Sequence, residues 1–135
     1  VAAVDKKGKV TVKGPGVAKI TVKAAATTDY KAASKTVTVT VAPKKQGISL
    51  VNKIKKQLTI KWKKNTKASG YQVVYSTNKK FTGKKTVRKA KTTTSYKIKG
   101  LKKGKKYYVK VRSYKTVNGK RIYGAYSTVK KATIK

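Results

Sequence analysis

The sequence predicts an all-β chain built as two β-sandwich modules in tandem. Three observations carry this. Apolar and polar residues alternate with period two along most of the 135 residues, no stretch sustains a helical period, and Gly- and Asn-containing turn signals recur between the alternating segments. Val, Ile, Tyr and Thr fill the alternating positions, and such side chains fit a pleated, half-buried surface. They oppose the disorder that usually accompanies so one-sided a charge.

The elements follow in order. Strands are expected at KVTVK (9–13) and AKITVKA (18–24), separated by the turn residues Gly14-Pro15-Gly16, and at KTVTVTV (35–41). A linker at 42–46, Ala-Pro-Lys-Lys-Gln, divides the modules at 1–41 and 47–135. Beyond it come QLTIKWK (57–63), GYQVVYS (70–76), KTVRKA (85–90), SYKIK (95–99), KYYVKVRSYK (106–115) and a last strand within VKKATIK (129–135). Turns are expected at Thr82-Gly83, Lys103-Gly104 and Asn118-Gly119. The last favours type I′ geometry, because Asn and Gly both tolerate positive φ.

Successive strand side chains point to opposite faces. In 106–115 this sends Tyr107, Val109, Val111 and Ser113 inward and leaves Tyr108, Lys110, Arg112 and Tyr114 outside. In 57–63, Leu58, Ile60 and Trp62 turn inward while Thr59, Lys61 and Lys63 stay wet. Lysine is thus the default outward residue, its long stem lying on apolar surface and its ammonium in water.

The charge is extreme: 38 Lys+Arg against 2 Asp+Glu, a formal +36. Only Arg88, Arg112 and Arg121 are arginine. The first 43 residues hold 8 lysines with Asp5 and Asp29, net +6, and residues 44–135 hold 30 basic residues with no carboxylate, net +30. With no His or Cys, the chain has neither disulfides nor the donors of a zinc site, and no cofactor is expected. Acid–base catalysis needs tuned titratable groups in a pocket. Asp5 and Asp29, both in turn-like settings, are too few for a carboxylate pair, so no enzymatic activity is expected. No apolar run reaches the ~18 residues of a membrane span. No leader is visible either, which for a secreted protein would make this a mature piece or a fragment.

Residues 47–135 resemble a fibronectin type III domain. The resemblance rests on Leu101-Lys102-Lys103-Gly104-Lys105-Lys106-Tyr107 and the x-Val-x-Val that follows, on Trp62, on Gly70-Tyr71-Gln72-Val73-Val74-Tyr75, and on Gly124-Ala125-Tyr126-Ser127. It implies that Trp62, Tyr71, Leu101 and Tyr107 are structural, Leu101 plugging the core and the Tyr107 hydroxyl bonding back to its turn. Lys103 and Lys105 depart from the Pro and Thr that the family favours. Residues 1–41 resemble the C-terminal half of a bacterial immunoglobulin-like domain of group 2, through Val1-Ala2-Ala3-Val4-Asp5, Gly8-Lys9-Val10-Thr11-Val12, Gly14 to Val22, and Thr36 to Val41. The predicted fold is therefore a tandem of immunoglobulin-like sandwiches, the first incomplete. About forty residues are a poor basis for a core of their own. A larger polypeptide or another chain is expected to complete this half. Such pairs of modules are similar to those of secreted and surface proteins of Gram-positive bacteria, notably gut clostridia.

That resemblance implies an extracellular location, and the lysines imply the partner. Net charge on a small domain is ordinarily about 2–8 in magnitude, and the excess costs stability by self-repulsion. Diffuse attraction to an anionic cell-wall polymer, teichoic acid above all, accounts for it. The carriers are Lys61, Lys63, Lys97, Lys99, Lys102, Lys103, Lys105 and Lys106. Specific nucleic-acid readout would favour arginine, whose fork meets guanine and phosphate bidentately, so no specific nucleic-acid partner is expected. A second reading is a host-glycan adhesin using the outward face of the strands at 70–76 and 106–115. There Gln72, Val74 and Ser76 stand beside Tyr108, Lys110, Arg112 and Tyr114, with Val74, Tyr108, Lys110, Arg112 and Tyr114 as the candidate site. A third is an inert spacer.

Overall fold

The structure, a computed structural model, describes residues 1–6, 8–26, 28 and 31–135. Among these it is all-β, with strands β1 (Ala2–Val4), β2 (Val10–Val12), β3 (Gly16–Ala24), β4 (Ala33–Val41), β5 (Ile48–Val51), β6 (Leu58–Trp62), β7 (Gly70–Ser76), β8 (Lys85–Ala90), β9 (Ser95–Ile98), β10 (Lys106–Val117), β11 (Lys120–Tyr123) and β12 (Lys130–Thr133). Asp29, expected in a turn, lies outside the described residues.

Residues 48–133 form an immunoglobulin-like sandwich of two antiparallel sheets. One has the order β5-β6-β9; the other has β11-β10-β7-β8, with β12 also paired to β10. The inward residues of both sheets meet in a single core. Leu58, Ile60 and Trp62 come from β6, Tyr71, Val73 and Tyr75 from β7, and Tyr107, Val109 and Val111 from β10, closed by Ile98, Leu101 and Ile134. Each fully buried aliphatic side chain of this kind stabilises the fold by about 1.5–3 kcal/mol. The turn after β9 is tied down at both ends. Leu101 N donates to Lys56 O at 3.0 Å, Gly104 N to Ile134 O at 2.8 Å, and Ile134 N to Lys105 O at 2.9 Å.

Period-two alternation found most strands within two residues of their ends, but three elements escaped it. β1 is a short run without alternation, β5 alternates only over Ile48, Ser49 and Leu50, and β11 follows a turn whose far side carries only four paired residues. That turn is the expected one: Asn118 (φ 49°) and Gly119 (φ 76°) both have positive φ, and Val117 pairs with Lys120.

Among the described residues of 1–41 there are two separate two-stranded ribbons, β1-β2 and β3-β4. In β3-β4 the register Ile20↔Val37 and Ala18↔Val39 places apolar residues on one face; Thr21↔Thr36, with hydroxyls 3.1 Å apart, lies on the other. The apolar face is half-buried at Ala18, Ile20, Val39 and Val41 and uncovered farther along, Val22 being 62% and Val37 45% exposed. The stretch 42–46 packs along the sandwich: Pro43 and Gln46 are buried. Gln46 Nε2 donates to Lys63 O at 2.9 Å, and Ser113 Oγ donates to Lys44 O at 3.3 Å. Lys67 Nζ reaches across to Lys13 O at 2.8 Å.

Candidate functional site

The two sheets present chemically different outer faces. On β6 and β9, Lys61 and Lys97 point outward, with Lys63 and Lys99 continuing their lines, and all four are exposed. Lys102, Lys103, Lys105 and Lys106 surround Gly104 at the end of the sandwich and are exposed as well. No Asp or Glu occurs in residues 44–135 to neutralise them. Their field reaches about 8 Å into solvent at physiological salt.

The face of β7 and β10 is closed, contrary to the expectation of an open patch. The register is as expected: Gln72 lies opposite Arg112, Val74 opposite Lys110 and Ser76 opposite Tyr108. Yet Val74 is only 1% exposed, and Gln72 and Ser76 are buried too. Lys110 and Arg112, expected wet, are half-buried. The cover comes from residues outside both strands. Phe81, Tyr126 and Tyr123 alternate with the two cations in one stack: Lys110 Nζ lies 4.3 Å from the Phe81 ring centre and 4.2 Å from that of Tyr126, and the Arg112 guanidinium 4.4 Å from Tyr126 and 3.8 Å from Tyr123. Such cation–π contacts gain strength as they lose water. Tyr114 continues the stack edge-on to Tyr123 at 5.8 Å, with Arg121 above it at 5.6 Å. Desolvation, with Lys84 and Arg112 nearby, lowers the Lys110 pKa.

Polar contacts lock this stack. Gln72 Oε1 accepts from Arg112 Nε at 2.7 Å and pairs with the Tyr126 hydroxyl at 3.2 Å. Phe81 is placed by the loop after β7: Ser76 Oγ donates to Thr82 O at 2.8 Å and accepts from Asn78 N at 3.0 Å, and Phe81 N donates to Asn78 O at 2.9 Å. Phe81 itself sits at φ 60°, a left-handed conformation rare for an aromatic residue. Of the candidate residues, Val74 is inaccessible, Lys110, Arg112 and Tyr114 belong to the stack, and Tyr108 stands apart at the Ser76 end. Gln72 was placed on this face but not as the hinge of the network. Nothing in the alternation pattern marks Phe81 or Tyr123 for this face, and the sequence marks Tyr126 only as part of the entry to the last strand.

The structural residues are all in the core. Contrary to expectation, the Tyr107 hydroxyl makes no hydrogen bond to its turn among the described residues; that turn is held by backbone bonds instead. Trp62 and Tyr71 pack with ring centres 5.4 Å apart, and Leu101 and Tyr107 join the same cluster. Tyr71 also holds a loop, its hydroxyl accepting from Asn65 N at 2.6 Å.

Comparison with known proteins agrees with this architecture. No curated protein matches the chain. Among solved structures, the sixth fibronectin type III domain from human fibronectin type III domain containing protein 3 superposes with a TM-score of 0.57 at 16% identity, over 71% of this chain and 88% of that one. A structure described as a myokine gives 0.54 at 15% identity, over 69% and 98%. A computer-based redesign of a β-sandwich protein gives 0.56 at 14% identity, over 67% and 93%. At these identities the likeness speaks for the fold alone. The sequence pattern of the fibronectin type III domain matches residues 41–129, and with that match the chain belongs to the fibronectin type III family.

Proposed function

We propose that this chain is a non-catalytic attachment and spacing module of a larger secreted or wall-associated protein of a Gram-positive bacterium, held to anionic cell-wall polymer by a diffuse coat of lysine. Fibronectin type III domains are typically extracellular modules that bind or space rather than catalyse. The observation that carries the reading is the coat: 35 lysines and 3 arginines against 2 acids, with those of the β6/β9 face and the Gly104 turn exposed. A polymer of repeating phosphates needs no shaped pocket, because counterion release alone drives its binding. The closed stack on β7 and β10 supports a coat over a discrete site there, since its aromatic faces are already occupied by cations.

In this proposal residues 1–41 are the C-terminal half of a bacterial immunoglobulin-like domain, completed by the remainder of the polypeptide or by another chain. The uncovered Val22 and Val37 support it. The experiment is retention on isolated walls. Depleting teichoic acid, or raising salt to about 0.5 M, should release the protein, because screening at that strength shortens the reach of every surface charge. Retention under both conditions would refute the coat, and failure to bind untreated walls at all would leave the inert spacer.

A further inference from the structure

Tyr108 is the outward aromatic of β10 that the stack leaves out. Among the described residues the cations over rings lie on Tyr96, Phe81, Tyr126, Tyr123 and Tyr114, and Tyr108 carries none. It lines an open depression of about 370 Å³ with Lys79, Val129 and Lys131. That volume lies within the range of about 300–1,000 Å³ typical of small-molecule sites.

Sheet geometry explains why these four residues meet. Tyr108 pairs with Lys131 across β10 and β12, and directly opposed residues of an antiparallel pair share a face. Val129 has the parity of Lys131 and is 43% exposed, an apolar wall beside the ring. On the other side Tyr108 pairs with Ser76, whose hydroxyl anchors the loop that carries Lys79. A half-buried ring with an apolar flank and two lysines is therefore built into the fold.

We infer that this depression binds a carboxylated sugar unit, with the pyranose ring on the face of Tyr108 and the carboxylate between the Lys79 and Lys131 ammonium groups. A sugar's C–H face is apolar enough to lie on an aromatic ring, and the two cations select the acid over its neutral counterpart. This goes beyond the lysine coat, which needs net charge and no shape.

Amide NMR shifts under titration with glucuronate, glucose or acetate, at fixed ionic strength, test the inference. Glucuronate should give saturable shifts confined to Lys79, Tyr108, Val129 and Lys131, with glucose and acetate weaker by about tenfold or more. Tyr108→Ala and the exposed Lys131→Gln should each weaken glucuronate binding by about five- to tenfold, Tyr108→Phe should retain it, and Lys91→Gln, an exposed lysine just after β8, should change nothing. Acetate reproducing the shifts, equal losses from Lys91→Gln and Lys131→Gln, or no saturation would each overturn the site. Wall retention reads the coat separately. Retention without glucuronate binding removes this site alone, and glucuronate binding without retention removes the coat alone.

Discussion

Gln72 and Arg112, opposed across β7 and β10, share a hydrogen bond of 2.7 Å in which the guanidinium Nε donates to the amide oxygen. The same oxygen pairs with the Tyr126 hydroxyl. An oxygen that takes both groups would do more as a carboxylate, in a stretch, residues 44–135, that has none. Gln72→Glu should raise the thermal midpoint through a charge-assisted bond to Arg112, and Gln72→Ala should cost about 1–3 kcal/mol by stranding the guanidinium. Thermal denaturation of both variants checks this. A Glu variant less stable than the parent would show that burying the carboxylate costs more than the charged bond to Arg112 contributes.

Lys110 gives the protein a pH dependence of definite sign. Desolvation, then Lys84 and Arg112, lower its pKa from the usual 10.5. At neutral pH the group is charged whether folded or not, and the cost of burying that charge is fully present. As pH rises through the lowered folded value toward 10.5, the folded protein sheds its proton first and the cost disappears, so stability climbs. Tyr75 acts in the opposite sense. Burial raises its pKa above 10.0, so the unfolded chain ionises first and stability falls above that pH. Urea midpoints between neutrality and pH 10 should rise more steeply in the parent than in Lys110→Met. Parallel profiles would contradict the assignment.

Tyr71 is fully buried, and its hydroxyl takes the Asn65 N–H at 2.6 Å. Tyr71→Phe preserves the ring against Trp62 and leaves that loop amide without its partner. The expected cost is about 1–2 kcal/mol, measured by chemical denaturation, with faster amide exchange confined to the loop at Asn65. An unchanged exchange rate at Asn65 would show that the bond contributes nothing.

Gly124 is required by crowding, not by its backbone angle. A Cβ there would stand 2.5 Å from the Pro43 carbonyl oxygen and 3.2 Å from its carbon. Backbone on the other side cannot swing away like a side chain, so Gly124→Ala should cost about 1–3 kcal/mol and loosen the 42–46 segment. Limited proteolysis should then cut at Lys44 or Lys45 sooner than in the parent.

The core could be read from the sequence because parity leaves each strand one choice. Once Leu58, Ile60 and Trp62 face one way, Lys61 and Lys63 must face the other, and the same rule sorted Tyr107, Val109 and Val111 from their neighbours. Parity says which side of a sheet a residue takes, not whether something later covers that side. Val74 faces outward as parity requires, yet it is buried, because Phe81 arrives from a loop and Tyr123 and Tyr126 from the segment that follows β10. Tyr126 lies 54 positions from Gln72, a pairing that no local pattern encodes.

β10 takes β7 along one edge and divides the other between β12 and β11. β12 and the residues after it also supply Ile134 to the core and a carbonyl to Lys56. During synthesis, then, the sandwich cannot close until its final strand has cleared the ribosome. Until that moment the long central strand presents a bare edge, and with no acid anywhere in residues 44–135, charge repulsion between copies opposes the joining of those edges.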